Sequence, residues 1–101
     1  MRRTNINAVM RMVKRYLSGE MDAISFKLDF PYEVTRRYQS MNREDPEYTE
    51  MIYYYLVENG TDRFDELSDD DFRQLIQKQY DNVMECEYLR LTVSAGLLSG
   101  R

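Results

Sequence analysis

The residues of this chain that could do chemistry are mainly carboxylates, and they are concentrated in one block. Residues 44–71 hold eleven acidic residues and one basic residue, a net charge of −10. Residues 1–43 hold nine basic and four acidic residues, a net of +5, and residues 72–101 hold four and three, a net of +1. Like charges at this density repel one another. The block therefore forms either a solvated face of the fold or a surface that meets a basic partner.

The second half of this block contains what we call the acidic cluster. A calcium loop needs oxygen ligands at fixed spacing around a central glycine, and residues 62–71 lack that pattern. A catalytic carboxylate pair needs a cleft and a second functional group, and the sequence indicates neither. We therefore expect no metal, no cofactor and no catalysis, but a protein-binding surface that mimics the charge density of nucleic-acid phosphates. The cluster consists of Glu58, Asp62, Asp65, Glu66, Asp69 and Asp70.

Tyrosine is the second candidate, because the chain has nine tyrosines and no tryptophan. Residues 51–57 are apolar nearly all round a helix, so Tyr53 and Tyr54 project away from the main core stripe. Tyrosine is enriched at protein interfaces. The two rings either pack against a neighbouring helix or bind a partner, and one alternative for the whole chain is a self-associating adaptor that forms a homodimer through them.

The basic N-terminal third is the third candidate. Its side chains could contact phosphates, but the sequence has no helix-turn-helix pattern and a pI of about 4.8. We expect these residues to neutralise acidic neighbours or to cover apolar surface, and nucleic acid is not the expected partner. A nucleic-acid-associated regulator stays the remaining alternative. The residues are Arg2, Arg3, Arg11, Lys14, Arg15, Arg36, Arg37 and Arg43.

Several kinds of chemistry are missing from the composition. The chain has no histidine, a single cysteine (Cys86) and four unclustered glycines. Histidine triads, zinc cages, disulfide frameworks and phosphate-cradling glycine loops are thereby excluded. We expect a binding protein and not an enzyme.

Apolar residues at helical spacing predict the elements that position these side chains. A first helix over 5–17 has Asn5 as its N-cap and Gly19 at its C-terminal end. Pro31 should break or kink the next segment near Phe30. We interpret the segment as two helical pieces, 20–29 and 32–42, and the pattern leaves open whether Pro31 kinks one helix or separates two. The core stripe of the first piece is Met21, Ile24 and Leu28, and that of the second is Val34, Tyr38 and Met41.

The second half of the chain carries stronger helix signals. Asp45 and Pro46 start a helix over 46–59 that Gly60 ends, and its core stripe is Tyr48, Ile52, Tyr55 and Leu56. A loop over 61–67 is held down by Phe64 and Leu67. The last helix begins at Ser68 with a capping-box pattern. It either ends near Glu85 or continues through Leu91. Residues 88–93 also alternate like a strand, and residues 94–101 look like a loose tail.

These elements predict one all-α domain over 1–101, an antiparallel bundle of four to five helices. No apolar run is long enough to span a membrane. The basic N-terminus lacks the apolar core of a signal peptide, so we expect a cytoplasmic protein.

The order of these features resembles the small, acidic, four-helix immunity proteins of bacterial toxin systems, of the colicin D type and of contact-dependent inhibition. The resemblance covers about residues 6–84. It rests on YLSGE at 16–20, a short apolar helix, an aromatic-rich third helix, the acidic loop with Phe64, and SDDDFR at 68–73. It implies a fold and a function: such proteins bind a toxin's nuclease domain and cover its basic active site, and the contact here would be the acidic cluster. Residues 85–101 have no counterpart in that family.

Overall fold

The computed structural model describes residues 2–94 as an antiparallel bundle of four α-helices. These are α1 (Thr4–Leu17), α2 (Ala23–Glu44), α3 (Pro46–Ile52) and α4 (Asp69–Ser94). Helix α3 continues as a π-helical segment (Tyr53–Glu58), and a 3-10 helix (Thr61–Glu66) precedes α4. The prediction of an all-α bundle is confirmed. Most of the predicted tail, residues 95–101, lies outside the described residues.

The N-terminus of α1 is capped from another helix and not by Asn5. The helix begins at Thr4, so Asn5 lies inside its first turn and the predicted cap is wrong. Instead the Glu44 carboxylate, at the end of α2, accepts hydrogen bonds of 2.9 Å from the backbone N–H groups of Asn5 and Ile6. A carboxylate suits this position because the N-terminus of a helix carries partial positive charge. The acid that caps α1 is thus remote in sequence.

Helix α1 ends at Leu17, and Gly19 follows it as the predicted C-terminal stop. This glycine has a φ of +92°, a conformation that residues with a Cβ rarely adopt. The Arg73 guanidinium of α4 then donates to the last carbonyls of the helix, at 2.8 Å to Leu17 O and 3.2 Å to Tyr16 O. Its charge matches the negative end of the helix dipole.

Helix α2 runs without a break through Pro31, so the predicted division into two pieces is wrong. It starts at Ala23, where the Asp22 side chain accepts a 2.8 Å hydrogen bond from the Ser25 amide. Proline removes one backbone donor from a helix. Phe30 and Val34 on either side of it are fully buried in the same core, and this burial holds the helix together.

The predicted core stripe of the first piece of α2 is also wrong. Ile24 is 56% exposed and Leu28 58% exposed; Met21, which lies before the helix begins, is half-buried. The buried face of α2 is instead formed by two phenylalanines four residues apart and by two apolar residues further along the same face. These are Phe26, Phe30, Val34 and Met41.

Helix α3 starts as predicted. The Asp45 carboxylate accepts from the Tyr48 amide at 3.2 Å, and Pro46 occupies the first turn. The helix then widens, so that the Asn59 amide bonds to the Tyr54 carbonyl five residues back. Gly60 ends the segment against the Leu56 carbonyl oxygen, where a Cβ would overlap the backbone. Only glycine lets the chain turn here into the 3-10 helix.

Helix α4 does not end near Glu85 but continues through Leu91 to Ser94, which is the longer of the two predicted lengths. Residues 88–93, whose pattern also resembled a strand, are helical. The start of α4 is confirmed, because the Ser68 hydroxyl oxygen accepts from the Asp71 amide at 3.1 Å. Burial of Glu87 and Thr92 in its second half explains the length. These polar residues interrupt the apolar pattern on which the shorter prediction relied.

Candidate functional site

The acidic cluster lies on three consecutive elements, and all six of its side chains are exposed. Glu58 ends the π-helical segment, three of the acids lie on the 3-10 helix, and two lie in the first turn of α4. Asp69 and Asp70 also stabilise the N-terminus of α4 through its dipole. The six carboxylates are therefore available to a partner.

An aromatic cluster connects the elements that carry the acidic cluster to the hydrophobic core. Phe64 of the 3-10 helix packs edge to face on Phe72 of α4, with 4.9 Å between ring centroids. Phe72 is fully buried and in turn lies 5.7 Å from the ring of Tyr16 and 6.4 Å from that of Phe26. Tyr16 and Phe26 are stacked at 4.6 Å. The predicted anchoring role of Phe64 is confirmed, and it ties the acidic elements to the core.

Two cations partly neutralise the cluster. Lys27 Nζ lies 3.8 Å from Asp65 Oδ1 and 5.2 Å from the centroid of the Phe64 ring. Arg63 Nε lies 3.0 Å from Glu66 Oε1. The Asp65 and Glu66 side chains stay 84% and 63% exposed, and such surface pairs contribute little. The other four acids form no ion pair within residues 2–94, so the surface keeps an excess of negative charge.

Asp45 of the acidic block and Glu87 of α4 are buried instead. Asp45 and Glu87 are 8% and 5% exposed. Asp45 Oδ2 lies 2.6 Å from both Arg3 and Arg90, and Glu87 lies 2.8 Å from Arg3 and 2.7 Å from Arg90. This alternating arrangement, which we call the Asp45–Glu87 network, ties the start of α1 and the junction of α2 with α3 to the second half of α4. Sequence reasoning missed it, because its members are up to 87 positions apart.

The environment of the network shifts the ionisation of Asp45. Burial alone would raise the pKa of this carboxyl, but the hydrogen bonds from Arg90 and from the Tyr48 amide, with the charges of Arg90 and Arg3, lower it below its usual value. The pKa of Glu44 is also lowered. Burial alone would raise it, but the hydrogen bonds from the amides of Ile6 and Asn5 outweigh that effect. Both acids act structurally, which reduces the charge that the block offers to a partner.

The two candidate tyrosines have different environments. Tyr53 is half-buried and packs edge to face on Tyr38, with 6.0 Å between ring centroids. Tyr54 is 54% exposed and packs edge-on against Tyr55 at 5.0 Å. The geometry favours packing for Tyr53, and only Tyr54 offers a ring to a partner.

Tyr54 lines a shallow pocket of about 420 Å³. The acids of this pocket are Glu47 and Glu50, and none of the acidic cluster contributes to it. Arg90 lines the same pocket and lies 2.8 Å from Glu47, so Glu50 is the acid beside Tyr54 that has no ion pair within residues 2–94. The predicted acidic cluster did not include Glu47 and Glu50, although their place in the −10 block was a signal that they extend the negative surface. The remaining lining residues are Met51 and Tyr55.

Residues 2–94 contain no group of three or more His, Cys, Asp or Glu side chains arranged to hold a metal ion. None of the helices in that range combines the length and apolar character needed to cross a membrane. In comparisons with known proteins, no family model, no curated protein and no solved structure matches this chain. The function must therefore be argued from the surface itself.

Proposed function

We propose that this chain is a non-catalytic protein-binding module, an immunity-type inhibitor that neutralises the basic nuclease domain of a toxin in the cytoplasm. The observation that carries the proposal is the exposure of all six acids of the acidic cluster on elements anchored to the core. The resemblance to immunity proteins in helix order and acid placement supports it.

Charge complementarity provides the mechanism. A nuclease that grips a phosphate backbone carries a cleft rich in lysine and arginine. A negative surface accelerates encounter with such a cleft. Because Phe64 holds the 3-10 helix on Phe72, its acids need little further ordering when they bind, and the entropic cost of association is reduced.

Slow dissociation requires apolar contact in addition to charge. Tyr54 supplies a half-exposed ring between Glu47 and Glu50, and buried tyrosines are frequent hot spots of interfaces. Tyr53 contributes indirectly, because its packing on Tyr38 fixes the backbone that carries Tyr54. An inhibitor of this kind needs no cofactor and no catalytic group.

The test compares two triple charge reversals. Asp65→Lys, Glu66→Lys and Asp69→Lys alter the acidic cluster, and Asp29→Lys, Asp81→Lys and Glu85→Lys alter exposed acids elsewhere by the same total charge. Each tagged protein is used to capture partners from the native lysate at low salt, and elution follows a salt gradient. We expect the wild type and the control to retain one stoichiometric basic protein whose RNA cleavage they block, and the cluster variant to lose both properties.

Circular dichroism must show that both variants keep the helical fold. Equal retention of the partner by the two variants would overturn the role of the acidic cluster. A captured partner without nuclease activity would overturn the inhibitor function but leave the acidic surface as a binding site.

Self-association is a second candidate, favoured by exposed apolar residues on α4. Met84, Tyr88 and Leu91 are 40%, 65% and 51% exposed and follow one another at helical spacing. Sedimentation equilibrium of the wild type and of Tyr88→Ser with Leu91→Ser tests this. A dimer that the double variant abolishes, together with no captured partner, would favour the adaptor.

A further inference from the structure

A pocket of about 340 Å³ beside the first turn of α1 is bordered by four arginines. They are Arg2, Arg3, Arg11 and Arg37, and no acidic residue contributes to its lining. Converging cations repel one another unless an anion lies between them. Four guanidinium groups come together at one pocket beside the start of α1.

Two of the four guanidinium groups are held in place by other residues. Arg3 is fixed by the Asp45–Glu87 network, at 2.6 Å and 2.8 Å from its two carboxylates. Arg37 donates to Glu33 at 3.0 Å and to Asn5 Oδ1 at 2.7 Å. The guanidinium groups of Arg3 and Arg37 are therefore held in position, and they need no rearrangement when a ligand binds.

The other two arginines are free to turn toward a ligand. Arg2 and Arg11 are exposed, and neither forms an ion pair with an acid within residues 2–94. The Glu44 carboxylate, at the end of α2, accepts hydrogen bonds from the backbone amides of Asn5 and Ile6. The charges of Arg2 and Arg11 are thus not cancelled by ion pairs within residues 2–94, whereas those of Arg3 and Arg37 are balanced by carboxylates.

The pocket opens into a larger groove between α1 and α2. A second pocket of about 490 Å³ shares Ala8 and Arg37 with the first. It adds Arg15, Arg36 and the ring of Tyr32, which is 64% exposed. The acids of this second pocket are Asp29 and Glu33, and Glu33 is paired with Arg36 and Arg37. A ligand that enters the arginine pocket can therefore continue along the groove beside an aromatic ring.

We propose that the arginine pocket binds two or more adjacent phosphate groups. Guanidinium groups match phosphate oxygens in charge and in bidentate geometry. Two unpaired guanidinium groups, Arg2 and Arg11, beside the positioned groups of Arg3 and Arg37 fit a ligand with more than one negative charge. The same chemistry occurs in a free polyphosphate, a nucleoside triphosphate and a single RNA strand. The pocket shares no residue with the acidic cluster, so the proposal does not depend on the inhibitor function.

The experiment measures binding of three probes to the purified full chain at about 50 mM salt, where electrostatic contacts are only moderately screened. The probes are inorganic tripolyphosphate, ATP and a fluorescent RNA dodecamer. Arg2→Gln with Arg11→Gln removes the two free cations, and Arg63→Gln with Lys78→Gln removes two exposed cations elsewhere. We expect the first pair to weaken binding about tenfold and the second to leave it unchanged.

The three probes distinguish the sources of phosphate. Binding of tripolyphosphate alone assigns the pocket to free phosphate chains. Tighter binding of ATP, lost in Tyr32→Ser, assigns the groove to a nucleotide base. Binding of RNA alone, with an affinity that falls steeply with salt, assigns it to a strand. Failure of all three to bind below about millimolar concentration, or equal weakening by the two double variants, would overturn the proposal.

Discussion

Phe64 meets Phe72 edge to face, with ring centroids 4.9 Å apart and ring planes at 83°. This contact joins the 3-10 helix, which carries three acids of the acidic cluster, to a fully buried side chain of α4. Edge-to-face aromatic pairs stabilise a fold beyond the area they bury. An uncharged aromatic contact therefore helps to position the proposed binding surface.

Replacing Phe64 by alanine tests this dependence. We expect Phe64→Ala to lower the free energy of unfolding by about 1–3 kcal/mol, because a half-buried ring and its contact with Phe72 are lost. Hydrogen exchange should accelerate in residues 62–67 more than in α1. Tyr32→Ala removes an exposed ring and should change the stability by less than about 0.5 kcal/mol. Unchanged exchange in the 3-10 helix would contradict the anchoring role.

Gly60 determines how the chain turns toward the acidic cluster. A Cβ at this position would overlap the carbonyl of Leu56, which is backbone and cannot move aside easily. We expect Gly60→Ala to cost about 2 kcal/mol or more in urea unfolding. Gly19→Ala serves as the comparison, since that site has a positive φ but open space, and it should cost only about 1 kcal/mol. The opposite order of the two penalties would contradict the close approach at Gly60.

Thr61 and Thr49 allow a comparison between a buried hydroxyl group without a hydrogen bond and one with a hydrogen bond. The Thr61 hydroxyl is buried and has no hydrogen-bond partner within residues 2–94, whereas the Thr49 hydroxyl donates to the Asp45 carbonyl at 2.8 Å. An unpaired buried polar group is costly, and a paired one contributes. We expect Thr61→Val to stabilise the fold by up to about 1 kcal/mol and Thr49→Val to destabilise it by about the same amount. Thermal unfolding of the two variants gives the sign of each effect, and a loss of stability in both would indicate that Thr61 has a partner.

The parts of the fold that were predictable are those fixed by neighbouring residues. Asp45 and Pro46 start α3, Ser68 starts α4 and Gly19 ends α1, because each cap acts within three or four residues of itself. The exposure of the acidic cluster agrees with its charge density, since carboxylates are rarely buried without partners, but the same density did not reveal that Asp45 is buried.

The features that were not predictable depend on contacts between distant residues. Pro31 stays inside α2 because Phe30 and Val34 are buried on either side of it, and no local rule measures that burial. Ile24 and Leu28 look like core residues in sequence, but the aromatic row of Phe26 and Phe30 turns the helix away from them. The Asp45–Glu87 network and the arginine pocket both require the start of α1 to meet remote helices.

The Asp45–Glu87 network predicts a dependence of stability on pH. The pKa of Asp45 is lower in the folded protein than its ordinary value of 3.8, so the folded state binds this proton less readily than the unfolded state. The stabilising contribution is therefore complete above about pH 5 and is lost as the pH falls through the folded pKa.

Asp45→Asn should lower the free energy of unfolding by about 1–3 kcal/mol at pH 7, because Arg3 and Arg90 lose an ionised partner. The gap between Asp45→Asn and the wild type should narrow as the pH falls below about 5, since the wild-type side chain then becomes neutral like that of the variant. Urea unfolding across this range measures the gap, with the exposed Asp81→Asn as control, and a constant gap would mean that Asp45 acts through its shape and not through its charge.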